Sequence, residues 1–280
     1  MPSRLTAAFD ALRAAQRPGL VTYTTAGDPD IVRSADILRA LDRAGADVLE
    51  VGVPFSDPMA DGPVIQRATE RAIAAGANLR VTLEIIGRVR RDVQAPIVVF
   101  SYANPLLRMG MAEFASAASA AGVDGVLALD LPIEEAGAFQ HTMDAAGLDT
   151  IFLLSPTTSD ERIQKAARLG RGFLYAISRL GVTGARDQVA VGAEAMVRRI
   201  RTFTRLPVAL GFGISRPEHV AEVGGFADAA VVGSALVSLI AAESGSPQLV
   251  ERIEAYVRSL RAACQPRGAV AAGVNRPDTR

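Results

Sequence analysis

Glu50 and Asp61 are the residues of this chain best placed by type and spacing to do chemistry. Glu50 is a carboxylate inside an apolar, strand-like run, Asp47-Val-Leu-Glu-Val-Gly-Val53. A bare carboxylate there is costly, so it is expected to be partnered, neutral or functional. The run stops at Pro54, and a loop carrying Asp57 and Asp61 leads to Gly62-Pro63. A buried acid at a strand end, with a second acid on the adjoining loop, suits proton-shuttling chemistry. The alternative is structural: Glu50 bonds a neighbouring backbone group, while Asp57 and Asp61 cap turns.

A second set of residues suits an anion. Three glycine-bearing loops fall late in the chain: Ser178-Arg-Leu-Gly181-Val-Thr-Gly184-Ala, Gly211-Phe-Gly213-Ile-Ser215 and Gly233-Ser234. Glycine lets the backbone approach phosphate oxygens, and helix-end N–H groups supply donors and positive potential. The hydroxyl of Ser234 adds one more donor. These glycines could instead serve turns and close packing, as most do. Agreement of three loops on one ligand favours phosphate.

The elements that must position these groups are short β-branched runs separated by helical stretches. The strand candidates are Gly19–Thr25, Asp47–Val53, Pro96–Ser101, Asp124–Asp130, Asp149–Ser155, Gly172–Ser178, Pro207–Gly211 and Ala229–Gly233. Between them lie segments such as Ile31–Gly45, Met111–Gly122 and Asp160–Gly170, and Gly45, Gly122, Gly147 and Gly170 stand where a helix C-cap favours glycine. About eight β-then-α units predict an α/β fold, a single (β/α)8 TIM barrel. Leu5, Ala8, Phe9 and Leu12 at helical spacing add an extra N-terminal helix. Residues 1–264 are read as one catalytic barrel, and 265–280 as a tail without periodicity that is expected to fray. Active sites of such barrels lie where strands end, and phosphate often binds after strands seven and eight. The glycine loops and Glu50 fall at those ends.

Composition narrows the partners. Thirty basic and thirty acidic residues cancel, so no global field attracts nucleic acid or an anionic membrane. With Cys264 alone and only His141 and His219, neither an intramolecular disulfide nor a His/Cys zinc site is expected, and no metal is assigned. The longest charge-free apolar stretch, Ala229 to Ala242, is short for a membrane span. A cytoplasmic location is the expectation. The one lysine, Lys165, sits in a helical segment, which argues against an imine-forming aldolase.

The segment Leu49-Glu-Val-Gly-Val-Pro-Phe-Ser-Asp-Pro-Met-Ala-Asp-Gly-Pro63 closely resembles the second strand and following loop of the tryptophan synthase alpha chain family. Ser-Arg-x-Gly-Val-Thr-Gly-Ala and Gly-Phe-Gly-Ile-Ser also stand as that family writes them, and the resemblance runs from about Phe9 to about Ala262. It implies retro-aldol cleavage of indole-3-glycerol phosphate to indole and glyceraldehyde 3-phosphate, with Glu50 and Asp61 as the catalytic acids. By the same carry-over, Gly184, Gly213, Gly233 and Ser234 hold the substrate phosphate. Tyr23, Tyr175, Thr183 and Phe212 line the pocket, with Thr183 on a loop that closes over it. The resemblance further implies a beta chain carrying pyridoxal phosphate, an alpha2beta2 tetramer, and no cofactor in this chain. Pro54, Phe55, Asp57, Pro58, Asn104 and Pro105 match loops of that contact, and Phe55, Met59, Leu106 and Leu107 are expected to be exposed there. The third strand end, Ser101-Tyr-Ala-Asn-Pro, departs from many relatives in a place that bears on pocket lining and interface fit. Competing readings are another phosphate-binding barrel, an alpha chain that only activates its partner, and a stand-alone lyase.

Overall fold

The alternation of β-branched runs with alanine- and arginine-rich segments folds as a parallel sheet wrapped in helices. The structure, a computed structural model, describes residues 2–177, 192–211 and 213–266. The strands are β1 (Gly19–Thr25), β2 (Val48–Gly52), β3 (Ile97–Ser101), β4 (Gly125–Ala128), β5 (Asp149–Thr150), β6 (Phe152–Leu154), β7 (Leu174–Ile177), β8 (Val208–Gly211) and β9 (Ala229–Val232). Their order is β5-β4-β3-β2-β1-β9-β8-β7-β6, with every pair parallel.

The sheet closes through the expected fifth strand. Sequence predicts one run, Asp149–Ser155; the structure divides it into β5 and β6 around Ile151. The first half pairs with β4 and the second with β7. Across the break, Ile151 N donates to Val126 O at 2.9 Å, and Arg171 N donates to Thr150 O at 3.0 Å. The run is therefore held on both sides, and the architecture is the (β/α)8 barrel. Closing the sheet pulls the two halves toward different neighbours, which interrupts the regular ladder.

The helices are α1 (Arg4–Ala14), α2 (Ile31–Arg43), α3 (Pro63–Ala74), α4 (Leu79–Val89), α5 (Ala103–Met109), α6 (Met111–Ala121), α7 (Ala136–Ala145), α8 (Asp160–Leu169), α9 (Ala193–Arg201), α10 (Pro217–Gly224), α11 (Ser234–Ala242) and α12 (Leu249–Ala262). None among the described residues is long and apolar enough to cross a membrane. Asp30 caps α2 by accepting from Arg33 N at 2.9 Å, the expected use of an aspartate just before a helix. Gly45, Gly122 and Gly147 take positive φ at helix ends, as predicted. Gly170 does not: its φ is −67°, and a Cβ there would lie 2.7 Å from Ala166 O, so close packing demands the glycine.

Alternation along each strand builds two cores. Leu20, Leu49, Val51, Ile97 and Val99 face outward against the helices, while Val21, Val48, Val98, Leu127 and Phe173 fill the barrel. Helix α1 plugs the end where the strands begin. Its Leu5, Phe9 and Leu12 belong to the inner cluster, and the Phe9 and Phe173 rings lie 5.3 Å apart. With that end filled by apolar side chains, the opposite mouth is left for a ligand.

Candidate functional site

Glu50 stands at the middle of β2, on the strand face that points into the barrel. It is 0% exposed, and neither carboxylate oxygen has a hydrogen-bond partner among the described residues. The alternative that Glu50 bonds neighbouring backbone is thereby excluded for those residues. Burial pushes its carboxyl up from 4.5 to about 8. Sequence adjacency suggests that Val48, Leu49 and Val51 bury it, and of these Val48 shares the barrel interior but Leu49 and Val51 do not. Both point the other way, into the helix-facing core, because successive strand residues alternate. In the barrel, Glu50 is in register with Tyr23 of β1 and Val98 of β3.

A layer of rings sits with Glu50. Tyr23 meets Phe100 edge-on at 5.3 Å, and Phe100 meets Tyr175 edge-on at 6.5 Å. Burial is the main cause that raises the phenol pKa of both tyrosines, and the charge of Glu50 adds to it, so both hydroxyls stay protonated. The Tyr23 ring lies across Gly52, where an added Cβ would come within 2.1 Å of its hydroxyl. Gly52 follows Glu50 by two residues, so its missing side chain makes the room that this ring occupies.

Above the rings lies a cavity of ≈ 720 Å³ at the strand ends. Tyr23, Phe100, Leu129 and Tyr175 form its apolar walls, and Asp61, Gly213, Gly233 and Ser234 also line it. The volume and the apolar walls with few polar groups suit a small aromatic ligand. Glu50 does not line this cavity in the conformation described. Ser234 and Ala235 begin α11, so their backbone N–H groups have no acceptor within the helix and can meet an anion. Gly213 has φ +71°, a conformation that favours glycine, in the loop after β8. That loop is held from outside: Tyr256 donates its hydroxyl to Ser215 O at 2.8 Å.

Asp61 is half-buried, and burial raises its carboxyl above the usual range, opposed by a hydrogen bond from Tyr102. The Tyr102 hydroxyl donates to Asp61 Oδ2 at 3.1 Å and accepts from Ala60 N at 3.0 Å. Tyr102 is a functional candidate that the sequence marks only as part of a polar strand end, with no role beside Asp61. Its position just after β3, at the strand ends where active sites of such barrels lie, is the signal that could have marked it. The Asp61 loop leads into α3, which is tied back to the β1 end by an ion pair between half-buried Arg71 and buried Asp28. Arg71 Nε and Nη2 donate to the two oxygens of Asp28 at 2.8 and 2.9 Å. The Asp28 side chain is wholly buried, and Arg71 opposes the rise that burial gives its pKa.

Of the residues picked from sequence, Tyr23, Asp61, Tyr175, Gly213, Gly233 and Ser234 meet at this cavity, with Glu50 buried in the barrel. Thr183, Gly184 and Phe212 lie outside the described residues. Pro54 is buried, Phe55, Pro58 and Pro105 are half-buried, and Asp57 and Asn104 are exposed, on the loops after β2 and β3. Met59 and Leu107 are exposed at 93% and 61%. Leu106 is fully buried, which corrects the expectation that it faces outward. It lies on the inner side of α5, one residue round from Leu107.

Comparison with known proteins agrees with this geometry. The family model for "Tryptophan synthase alpha chain" matches residues 9–265. A tryptophan synthase alpha chain of Solibacter usitatus is 45% identical over 259 residues, covering 92% of this chain and 97% of the relative. One from Methylococcus capsulatus is 50% identical over 247 residues, covering 88% and 92%. Among solved structures, tryptophan synthase subunit alpha from Legionella pneumophila superposes with a TM-score of 0.87 at 36% identity, covering 94% of this chain and 99% of that one. A Mycobacterium tuberculosis tryptophan synthase chain gives 0.85 at 36% identity, covering 95% and 99%.

Proposed function

The chain belongs to the tryptophan synthase alpha chain family, and on that premise we propose that it cleaves indole-3-glycerol phosphate to indole and glyceraldehyde 3-phosphate. The observation that carries this reading is Glu50, a carboxylate with no hydrogen-bond partner among the described residues, buried in the barrel beside an apolar cavity. With its carboxyl at about 8, Glu50 is mostly protonated at neutral pH and can act first as an acid. It gives its proton to indole C3, which makes the ring an indolenine and weakens the bond to the side chain. The carboxylate so formed takes the proton of the side-chain hydroxyl next to that bond. The carbon–carbon electrons return to the ring, the aldehyde forms, and Glu50 ends the cycle protonated as it began.

Asp61 accepts a hydrogen bond from the indole N–H and stabilises the positive charge that grows on the ring. Tyr23, Tyr175 and Phe100 enclose the indole. Gly213, Gly233 and Ser234 hold the phosphate, joined by Gly184; Thr183 and Phe212 complete the pocket. Glu50 reaches the reacting carbon by turning its side chain toward the cavity, because the resting conformation does not line it. These steps need no cofactor in this chain. Pyridoxal phosphate belongs to the beta chain, which takes the indole, and the assembly is an alpha2beta2 tetramer in the cytoplasm. The beta chain docks on the loops holding Pro54, Phe55, Asp57, Pro58, Asn104 and Pro105, where exposed Met59 and Leu107 supply apolar surface. Residues 1–264 act as one catalytic unit.

The test is the release of indole from indole-3-glycerol phosphate by Asp61→Asn and the parent chain. A fall of about 100-fold or more in kcat for the variant is expected, from loss of a charge-stabilising group. Parent-like turnover in Asp61→Asn would remove Asp61 from the reaction.

A further inference from the structure

Asp61 reaches the cavity from a loop, and a loop carboxylate holds its place only if something fixes it. Three contacts converge on one side chain that could do so. The Tyr102 hydroxyl donates to Asp61 Oδ2 at 3.1 Å, and the Tyr102 hydroxyl oxygen itself accepts from Ala60 N at 3.0 Å. The Tyr102 ring lies 5.3 Å from the ring of Phe55, at the start of the same loop. One residue thus grips the loop at its beginning and at its end. Tyr102 is itself well anchored: it is 5% exposed and precedes α5, where Ala103 N donates to Asp130 Oδ1 at 2.6 Å.

We propose that Tyr102 is a positioning residue for the reaction: it fixes the loop that carries Asp61 and aims the Asp61 carboxylate into the cavity. This deepens the function proposed above and rests on the reading of Asp61 given there. The chemistry is one-directional. Burial and the nearby carboxylates of Asp61 and Asp130 push the Tyr102 phenol well above its ordinary value, so it remains a donor through the working range. A donor aimed at Asp61 favours the ionised carboxylate and opposes the rise that burial causes. Among the described residues, the titratable groups facing Asp61 are this phenol and that of Tyr23 from β1, with Asp130 one step further behind Tyr102. The Tyr102 hydrogen bond is, among those residues, the cause that opposes the upward push of burial on Asp61.

The experiment compares Tyr102→Phe with the parent and with Asp61→Asn, each followed by indole release from indole-3-glycerol phosphate across pH. Phenylalanine keeps the ring against Phe55 and removes only the hydroxyl. The expected result is a kcat about tenfold lower with KM changed less than about threefold, the size of one lost positioning bond. The acid limb of the kcat profile should also move to higher pH, because Asp61 loses the donor that favoured its charge. A loss of packing alone would lower stability or raise KM and leave that limb in place. If Asp61→Asn is inactive while Tyr102→Phe keeps the parent kcat and acid limb, the positioning role is overturned and the reading of Asp61 stands. If Asp61→Asn turns over like the parent, both fall together.

Discussion

Glu50 carries two consequences that separate cleanly by pH. Its folded carboxyl stands at about 8 against an ordinary 4.5, so the folded chain binds this proton more tightly than the unfolded chain. The stability tied to that proton is fully present below about pH 4.5 and is lost as pH rises through about 8, on the order of 5 kcal/mol in all. Glu50→Gln has no proton to lose. Its melting temperature, relative to the parent, should therefore climb by several degrees between pH 5 and pH 9, measured by thermal unfolding. Parallel pH curves for the two would mean that Glu50 is solvated or paired. The same pKa predicts that parent kcat falls as pH passes about 8, because the acid that protonates indole C3 is then ionised. At this scale the acids themselves were legible in the sequence, since a carboxylate in an apolar run is conspicuous. The residues around them were not. Tyr102 reads as an ordinary strand-end polar residue until folding brings it against Asp61, and Leu49 and Val51 look like the neighbours of Glu50 until alternation turns them away.

Two elements owe their places to side chains that the reaction does not use. Helix α1 closes the barrel end opposite the cavity, and Phe9 within it is 3% exposed against Phe173. Phe9→Ala should cost about 3 kcal/mol of stability through a cavity in the inner core, with kcat unchanged at temperatures where the variant is folded. Helix α3 continues the Asp61 loop and is moored to the β1 end by Arg71 and buried Asp28. Arg71→Met leaves a buried carboxylate without its partner and should lower stability by about 3 kcal/mol, as urea unfolding would register. An unchanged midpoint would show that water reaches Asp28. The helices Ile31–Gly45, Met111–Gly122 and Asp160–Gly170 were readable to within a residue or two because caps and glycines mark their ends. The split of the fifth strand at Ile151 was not, because it arises from closure of the sheet. Leu106 was misread for a related reason: one residue in a seven-residue helix decides which side faces in, and the sequence around it shows too little period to choose.

The whole molecule has a formal net charge of zero, and its cavity is walled mainly by apolar groups. Long-range steering should contribute little to capture of a phosphorylated substrate, which must be held by short contacts. Raising ionic strength from about 50 to about 500 mM should change kcat/KM less than about fivefold, a range that strong charge steering would exceed. The barrel as a whole was legible from eight regularly spaced runs, and the two ends of its sheet acquire opposite tasks, one packed by α1 and one open. The central claim is that Glu50 moves the protons that break a carbon–carbon bond in that open end. The most direct measurement is the initial rate of indole release from indole-3-glycerol phosphate by the parent and by Glu50→Gln, each alone and with a tryptophan synthase beta chain. The account predicts slow release by the parent that rises with the beta chain, and a rate at least about 100-fold lower for Glu50→Gln in both conditions. Release by folded Glu50→Gln at the parent rate would contradict it.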